Sequence, residues 1–169
     1  MAILMYFTFL FILSVRVLEL YISKRNEQWF KERRAVEKER RKYKWLRLLH
    51  QLFFLSILFE WLFLINPGTF NVFFLFLFIL VSAGKLWCVL SLGRFWTLRK
   101  FMLPGVLLFK RGPYRFIKEP YNVINFIQLF IVPLIFGAYV TALIFPLFQL
   151  LLMQLKMPER GGLFEKASL

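Results

Sequence analysis

The sequence predicts an all-α integral membrane protein, a single domain over residues 1–169 with about five membrane-spanning helices. Of the 169 residues, 60% are hydrophobic and 20% are aromatic. A soluble domain of this size cannot cover so much apolar surface. The chain also carries 23 Lys and Arg residues against 9 acidic residues, all of them Glu. Long apolar runs alternate with short basic ones, which is typical of a multi-span membrane protein.

The same composition excludes several other classes of protein. The long apolar runs exclude a soluble nucleotide-binding domain. Cys88 is the only cysteine in the sequence, which excludes a disulfide scaffold. With His50 as the only histidine, we expect no metal site built from protein ligands. We also expect no nucleic-acid partner, because basic loops are typical of the cytoplasmic side of multi-span proteins.

Each predicted span is an apolar run that approaches the length needed to cross a bilayer core of about 30 Å as a helix. The turn Asn66-Pro67-Gly68-Thr69 joins the second and third runs into a helical hairpin. The last apolar region is too long for one helix, so we divide it near residues 136–139 into a C-terminal helical hairpin, with four spans as the alternative count. The predicted spans are about 1–22, 46–65, 70–90, 122–136 and 138–156.

Basic residues decide the predicted orientation. They concentrate in segments 23–45 and 92–121 and in the tail 157–169, whereas the turns near 66–69 and 137 carry none. Five spans place all three basic segments on one side, which the positive-inside rule assigns to the cytoplasm, with the N-terminus outside. Segment 23–45 is predicted to be a cytoplasmic helix with i,i+4 pairs, Glu27/Lys31 and Glu37/Arg41, lying on the anionic membrane surface.

Charged side chains within the predicted spans are costly and are therefore candidates for function. Arg16 and Glu19 are three residues apart, so they share a helix face and can pair. For Lys85 the favoured interpretation is that the side chain snorkels to the cytoplasmic interface. Glu60 has no explanation in the sequence. Arg16, Glu19 and His50 are candidates for the substrate side of a site that opens to the cytosol, although an interfacial histidine is more often structural.

Residues 91–121 combine Gly and Pro breaks with interleaved Arg, Trp and Tyr. The segment is too polar to be a span and too aromatic to be a plain linker. Gly112-Pro113-Tyr114-Arg115 predicts a turn that presents an aromatic ring and a cation. Such a segment suits a folded loop that closes over a ligand. The alternative is an interfacial loop with an aromatic belt.

This loop resembles the signature of the isoprenylcysteine carboxyl methyltransferase family, small integral membrane enzymes that use S-adenosylmethionine. The N-terminal half resembles a short bacterial branch that is associated with type III polyketide synthases and with O-methylation of long-chain alkylpyrones. The matching motifs are Arg16-Val-Leu-Glu19-Leu, Lys24-Arg25-Asn26-Glu27, Tyr43-Lys44-Trp45, Leu48-Leu49-His50, Leu92-Gly93-Arg94-Phe95-Trp96, Leu103-Pro104-Gly105 and Gly112-Pro113-Tyr114-Arg115, followed by Pro120, the C-terminal hairpin and Glu159.

The chain departs from the family pattern in two places. Where the family has Arg-His-Pro-Asn-Tyr, this sequence has Lys118-Glu119-Pro120-Tyr121-Asn122, and where the family has Glu-Glu it has Glu159-Arg160. One hypothesis is that Glu119 and Arg160 pair, as a compensating swap. An alternative function is a catalytically degraded relative that acts as a membrane partner or lipid-binding protein. A small transporter is disfavoured, because the spans lack paired broken-helix repeats.

The resemblance implies a methyltransferase that acts on a lipophilic acceptor, with an alkylpyrone-type hydroxyl or a carboxyl group as the methylated group. Its implied partners are the lipid bilayer and the acceptor, with a functional association with a type III polyketide synthase. The implied catalytic residues are Arg115, Glu119 and Glu159. The implied residues for binding S-adenosylmethionine are Arg94, Trp96, Leu103, Pro104, Gly105, Gly112, Pro113, Tyr114, Lys118, Pro120, Tyr121 and Asn122.

Overall fold

The computed structural model describes residues 2–63, 70–102, 112–117 and 119–154, which contain five α-helices and two short strands. The helices are α1 (Ala2–Glu32), α2 (Arg40–Phe63), α3 (Val72–Leu92), α4 (Pro120–Ile135) and α5 (Tyr139–Gln154). The strands β1 (Val36–Lys38) and β2 (Lys100–Met102) pair in antiparallel orientation. The predicted all-helical fold with a C-terminal hairpin is confirmed, whereas the predicted turn at 66–69 lies outside the described residues.

The five helices differ in length. Helices α1, α2 and α3 are long and apolar enough to cross a membrane. Helices α4 and α5 are apolar but have 16 residues each, which corresponds to about 24 Å at the usual helical rise. Helix α1 has 31 residues, or about 46 Å, and therefore extends beyond a hydrocarbon core of about 30 Å. These apolar helices indicate a multi-pass membrane protein.

Contacts between helix termini show that helices that follow one another in the sequence run in opposite directions. The ammonium of Lys42, near the start of α2, donates to the carbonyl of Met153, near the end of α5, at 2.9 Å. The pairing of β1 with β2 joins the segments that follow α1 and α3. At the opposite end, the N–H of Asn71 donates to the carbonyl of Ile135 at 3.0 Å. The two long basic segments therefore meet at one end of the bundle, which we call the basic end.

The prediction of one cytoplasmic helix over 23–45 is wrong. Helices α1 and α2 each extend into this segment, and between them the chain turns at Arg34, with a φ of 55°, and forms β1. Glu37 therefore does not lie one helical turn from Arg41, and its carboxylate accepts a hydrogen bond from Arg99 at 3.2 Å. The backbone of β1 finds its partners in β2, more than 60 residues later, which a local charge pattern does not reveal.

Apolar packing holds the bundle together in two clusters. The larger cluster lies between α1, α2, α3 and α4, and the residues at its centre include Met5, Ile57 and Ile135. The smaller cluster lies near the basic end, where the ring of Trp96 packs edge-on against Tyr121 with 5.2 Å between ring centroids. Large apolar side chains on the outer faces of the helices remain exposed, as expected of a surface that faces lipid.

Candidate functional site

Polar side chains from several helices meet around the carboxylate of Glu19 inside the bundle. Arg16 donates from Nη1 to Glu19 Oε2 at 2.7 Å, so the pair predicted from the spacing of these two residues is confirmed. The ammonium of Lys85 lies 2.8 Å from Glu19 Oε1. The hydroxyl of Tyr121 donates to Oε2 at 3.0 Å. One carboxylate thus holds residues of α1, α3 and α4 together.

The snorkelling predicted for Lys85 is wrong. The side chain is 5% exposed and points into the bundle, where Nζ also donates to Gln128 Oε1 at 2.9 Å. The Gln128 amide in turn donates to the hydroxyl of Ser82 at 3.0 Å. Within the bundle, the ammonium of Lys85 has a carboxylate and an amide oxygen as hydrogen-bond partners. A side chain that extended along the apolar helix surface toward the interface would lack both partners.

His50 joins this cluster from α2. Its Nδ1 lies 2.7 Å from the carbonyl of Leu46, and because a carbonyl can only accept, Nδ1 carries the proton in that contact. Its Nε2 lies 3.4 Å from the amide nitrogen of Asn125, which can donate to it. This hydrogen-bonding pattern is that of a neutral imidazole, with the tautomer assigned from its partners. The Asn125 carbonyl oxygen accepts from Arg16 at 3.4 Å.

A cavity of about 40 Å³ lies beside the cluster, with room for about three water molecules. We call it the inner cavity. One wall is polar and is formed by Arg16, Glu19, His50, Lys85, Asn125 and Gln128. The other wall is apolar and is formed by Ile12, Val15, Phe53, Phe54, Phe78, Leu129 and Val132. A small polar group attached to a hydrocarbon chain matches such a two-sided lining.

A second cavity, of about 50 Å³, lies at the basic end, and we call it the outer cavity. Glu119 and Lys100 line it, with 2.7 Å between the carboxylate Oε1 and the ammonium. The amide of Asn122 donates to Glu119 Oε2 at 2.6 Å. The remaining lining residues are Lys38, Glu39, Lys42, Tyr43, Leu46, Leu98 and Met153.

Charge pairing sets the protonation of the two central groups of the outer cavity. Partial burial acts to raise the pKa of the Glu119 carboxyl, but hydrogen bonds from Lys100 and Asn122 outweigh it, and the pKa lies below its ordinary value. Burial acts to lower the pKa of the Lys100 ammonium, but contacts with Glu119 and Glu39 outweigh it and raise that pKa. Both groups are therefore charged at neutral pH.

The two cavities lie about one helical turn apart along α2 and α4. Leu46 and Asn122 line the outer cavity, whereas His50 and Asn125 line the inner one. Separations of three or four residues correspond to about 4.5 to 6 Å along a helix axis. A ligand held in one cavity is therefore close to a ligand held in the other.

Helix α1 fixes the segment that follows α3. The amide of Asn26 donates to the carbonyls of Gly93 at 3.2 Å and of Trp96 at 2.7 Å. The hydroxyl of Ser23 accepts from the N–H of Leu98 at 3.0 Å. Gly93 has a φ of 53°, a conformation that favours glycine. The position of Trp96 is thus set by α1 as well as by its own loop.

The turn over Gly112–Arg115 packs against the last residues of α3. Gly112 has a φ of 55°, and a Cβ at this position would overlap the side chain of Ser91, so both the backbone and the close approach require glycine. Tyr114 packs against the cluster that contains Trp96, and burial raises the pKa of its phenol. Arg115 is exposed.

Six of the predicted site residues fall into two groups in space. Arg16, Glu19, His50 and Tyr121 meet at the inner cluster, and Glu119 and Asn122 meet at the outer cavity. Two predicted residues, Arg94 and Arg115, are exposed at the basic end and line neither cavity. The predicted cofactor residues that are mostly buried within the protein are Trp96, Pro120 and Tyr121.

Part of the predicted site lies outside the described residues, namely Leu103, Pro104, Gly105, Lys118 and Glu159. The same holds for Arg160, so the proposed pair with Glu119 stays a prediction. The structure instead places the carboxylate of Glu119 against Lys100. The roles assigned to all these residues by resemblance also stay predictions.

Asn125 and Gln128 were not among the predicted site residues, and Lys85 was expected to extend to the interface. All three line the inner cavity. A signal for two of them was present. Tyr121, Asn125 and Gln128 follow one another at spacings of four and three residues in a largely apolar helix, which places them on one helix face. Lys100 at the outer cavity carries no such signal, because its partner Glu119 is brought to it by the fold.

Comparisons with known proteins identify the family of the chain. Residues 73–160, just over half of the sequence, match the isoprenylcysteine carboxyl methyltransferase (ICMT) family. The chain is also 32% identical, over 143 residues, to the Bacillus subtilis (strain 168) protein named "Uncharacterized protein YpbQ", an alignment that covers 83% of this chain and 84% of the relative. No solved structure gives a significant match. The chain belongs to the isoprenylcysteine carboxyl methyltransferase family.

Proposed function

We propose that the protein is a membrane-embedded methyltransferase that transfers a methyl group from S-adenosylmethionine to an oxygen of a lipophilic acceptor. The observation that carries this proposal is the family match over residues 73–160, because methyltransferases of this family use S-adenosylmethionine. The acceptor oxygen belongs to an alkylpyrone-type hydroxyl or to a carboxyl group. A type III polyketide synthase is the proposed functional associate of the enzyme.

The charges at the outer cavity fit the amino-acid portion of the cofactor. That portion carries a carboxylate and an ammonium. Lys42 and Lys100 supply cations for the carboxylate, and Glu119 supplies an anion for the ammonium. The cavity is small, so in this conformation it has room for the amino-acid portion of the cofactor and not for the whole molecule.

When bound, the cofactor supplies a methyl group on a positively charged sulfur. Charge is lost as such a methyl group is displaced, so alignment and exclusion of water matter more than a strong base. The residues of this chain therefore need to hold an acceptor oxygen in line and to keep the region dry. The apolar wall of the inner cavity, which includes Phe53 and Phe78, suits the exclusion of water.

We also propose that the basic end faces the cytoplasm and that the N-terminus lies outside. The distribution of Lys and Arg supports this orientation through the positive-inside rule. The outer cavity then opens toward the compartment that holds the cofactor. The acceptor reaches the inner cavity from the bilayer, along helices whose outer faces are apolar.

A second candidate is a relative that has lost catalysis and binds lipid or a membrane partner. The observation that favours it concerns Glu119, which occupies the position of the family's histidine. The Glu119 carboxylate already has Lys100 and Asn122 as partners. A carboxylate that is already paired offers less to a ligand than a free side chain does.

Equilibrium binding of S-adenosylmethionine to the purified protein in lipid nanodiscs tests the proposal. We expect saturable binding, and we expect Lys100→Met to weaken it by about tenfold through loss of a charged contact. Arg41→Met, which removes an exposed cation at the same end, is the matched control and should bind as the unmodified protein does. Absence of saturable binding at millimolar cofactor would overturn the proposal in favour of the second candidate.

A further inference from the structure

We propose that the inner cavity binds the ionised oxygen of a lipophilic acid, and that Arg16 and Lys85 hold its negative charge. The proposal rests on the proposed function for the role of this acid as the methyl acceptor, but the binding itself does not require the cofactor. Of the two cations, Arg16 lies outside residues 73–160, which match the family, and Lys85 lies within them.

The first argument is the charge around the inner cavity. Among the described residues that line it, Arg16 and Lys85 are cations and Glu19 is the single carboxylate, which contacts both of them. The hydrogen bonds of His50 are those of a neutral ring. The lining therefore carries one positive charge in excess. An unmatched charge is costly away from water, and an anionic ligand in the cavity would balance it.

The second argument is the set of partners that Arg16 has. One strong contact, at 2.7 Å, ties the guanidinium to Glu19. Its other contacts, to Tyr121 and Asn125, are both 3.4 Å long, at the weak end of the hydrogen-bond range. A guanidinium has five N–H donors, so Arg16 can bind an anion and still keep its pair with Glu19.

The third argument is the shape of the lining. The polar wall faces an apolar wall that includes Phe53, Phe78 and Val132. A volume of about 40 Å³ suits an ionised oxygen group rather than a whole lipid. The hydrocarbon chain of such a ligand then lies along the apolar side, toward the lipid-facing surface. A neutral alcohol of the same length matches the apolar wall but leaves the excess charge in place.

This arrangement also accounts for release of the product. The acceptor oxygen forms a bond to the methyl carbon while the carbon–sulfur bond breaks and leaves its electron pair on sulfur. The acceptor is already ionised, so no proton has to be removed by the protein. The product is a neutral ester or ether, and the charge on Arg16 and Lys85 that holds the acceptor does not hold the product.

Binding of two probes to the cofactor-free protein in nanodiscs tests the site. The probes are dodecanoate and dodecan-1-ol, measured by equilibrium dialysis and corrected with empty nanodiscs. We expect the unmodified protein to bind dodecanoate at least about tenfold more tightly than the alcohol, because a charged hydrogen bond contributes about that factor. Equal binding of the two probes would overturn the proposal without any variant.

Lys85→Met provides the sharpest variant. It leaves Arg16 and Glu19 as a balanced pair within α1, so the excess charge is gone while the contacts of that pair with Tyr121 and Asn125 of α4 stay. We expect binding of dodecanoate to fall by about tenfold or more and binding of dodecan-1-ol to stay the same. Lys44→Met, which removes an exposed cation outside the cavity, is the matched control and should change neither.

Two further variants keep the test decisive if Lys85→Met does not fold. Lys85→Arg keeps the charge and should keep the preference for dodecanoate, whereas Arg16→Met removes the other cation and should lose it. Retention of the preference in Arg16→Met would overturn the proposal. Because no cofactor is present, failure to bind S-adenosylmethionine would affect the proposed function and leave this result standing.

Discussion

Glu60 of α2 holds the first turn of α5 through Thr141. The carboxylate accepts from the N–H of Thr141 at 3.0 Å and from its hydroxyl at 2.7 Å, and it also accepts from the N–H of Val140 at 3.0 Å. The first N–H groups of a helix have no partner within the helix, and the helix dipole favours a negative charge there. The charged residue that the sequence left unexplained is thus a cap supplied by a neighbouring helix.

Replacement of Glu60 by alanine should lower the free energy of unfolding by about 2 to 4 kcal/mol, because the backbone N–H groups of Val140 and Thr141 lose their acceptor. The measurement is loss of helical circular dichroism on denaturation in detergent micelles. Glu32→Ala, at a carboxylate whose side chain is 73% exposed, is the matched control. Equal stability of the two variants would contradict the capping role.

Glu19→Gln should destabilise the bundle by about 3 to 5 kcal/mol, because it leaves Arg16 and Lys85 close together inside the protein without a carboxylate. The same denaturation measurement applies. Addition of Lys85→Met removes one of the two unmatched charges, so the double variant should be more stable than Glu19→Gln. A double variant that is less stable than the single one would show that the carboxylate acts through packing rather than charge.

Asn26→Ala should loosen the segment that follows α3. The substitution removes two hydrogen bonds, to the carbonyls of Gly93 and Trp96. We expect amide hydrogen exchange over residues 96–99 to accelerate by about tenfold, since local opening becomes easier by about the free energy of one hydrogen bond. Ser14→Ala, which removes an exposed side-chain hydrogen bond elsewhere on α1, should leave this exchange unchanged.

The pair of Glu119 and Lys100 should make stability depend on pH in acid. The folded-state pKa of Glu119 is lowered, so its contribution is present above the unfolded pKa and is lost as pH falls through the folded pKa. The folded-state pKa of Lys100 is raised, so its contribution is present below the unfolded pKa and is lost as pH rises through the folded pKa.

The contribution of this pair can be measured by comparing the free energy of unfolding of the unmodified protein with that of Lys100→Met from pH 3 to pH 9. We expect a constant difference between about pH 5 and pH 9 and a smaller one below about pH 4, where Glu119 gains a proton. The difference should stay below about 1 kcal/mol, because both side chains are about 40% exposed and water screens them. A difference that grows in acid would contradict the pairing.

The sequence was sufficient for features that depend on neighbours along the chain. Apolar runs predicted the helices, and the three-residue spacing of Arg16 and Glu19 predicted their pairing, because helix geometry alone brings such residues together. The polar stripe of Tyr121, Asn125 and Gln128 on α4 could also have been predicted, because its spacing along the chain follows the helical repeat, but it was not.

Features that depend on how the helices rotate and pack could not be predicted. The burial of Lys85 depends on the face that α3 presents to α1 and α4, and apolar residues all around α3 leave that face undetermined. The capping role of Glu60 depends on where α5 begins in space. The break between α1 and α2 depends on a strand partner, β2, that follows two further helices in the chain.

Helix α4, at about 24 Å, is shorter than a hydrocarbon core of about 30 Å. The same helix carries Tyr121, Asn125 and Gln128, which belong to the group of polar side chains around Glu19. If α4 crosses the bilayer, the bilayer has to thin locally to match it. Such thinning would bring the headgroup region closer to the inner cavity on that side. Bilayers of shorter acyl chains should therefore stabilise the protein, and membrane thickness becomes a variable that tunes how an amphiphile reaches the cavity.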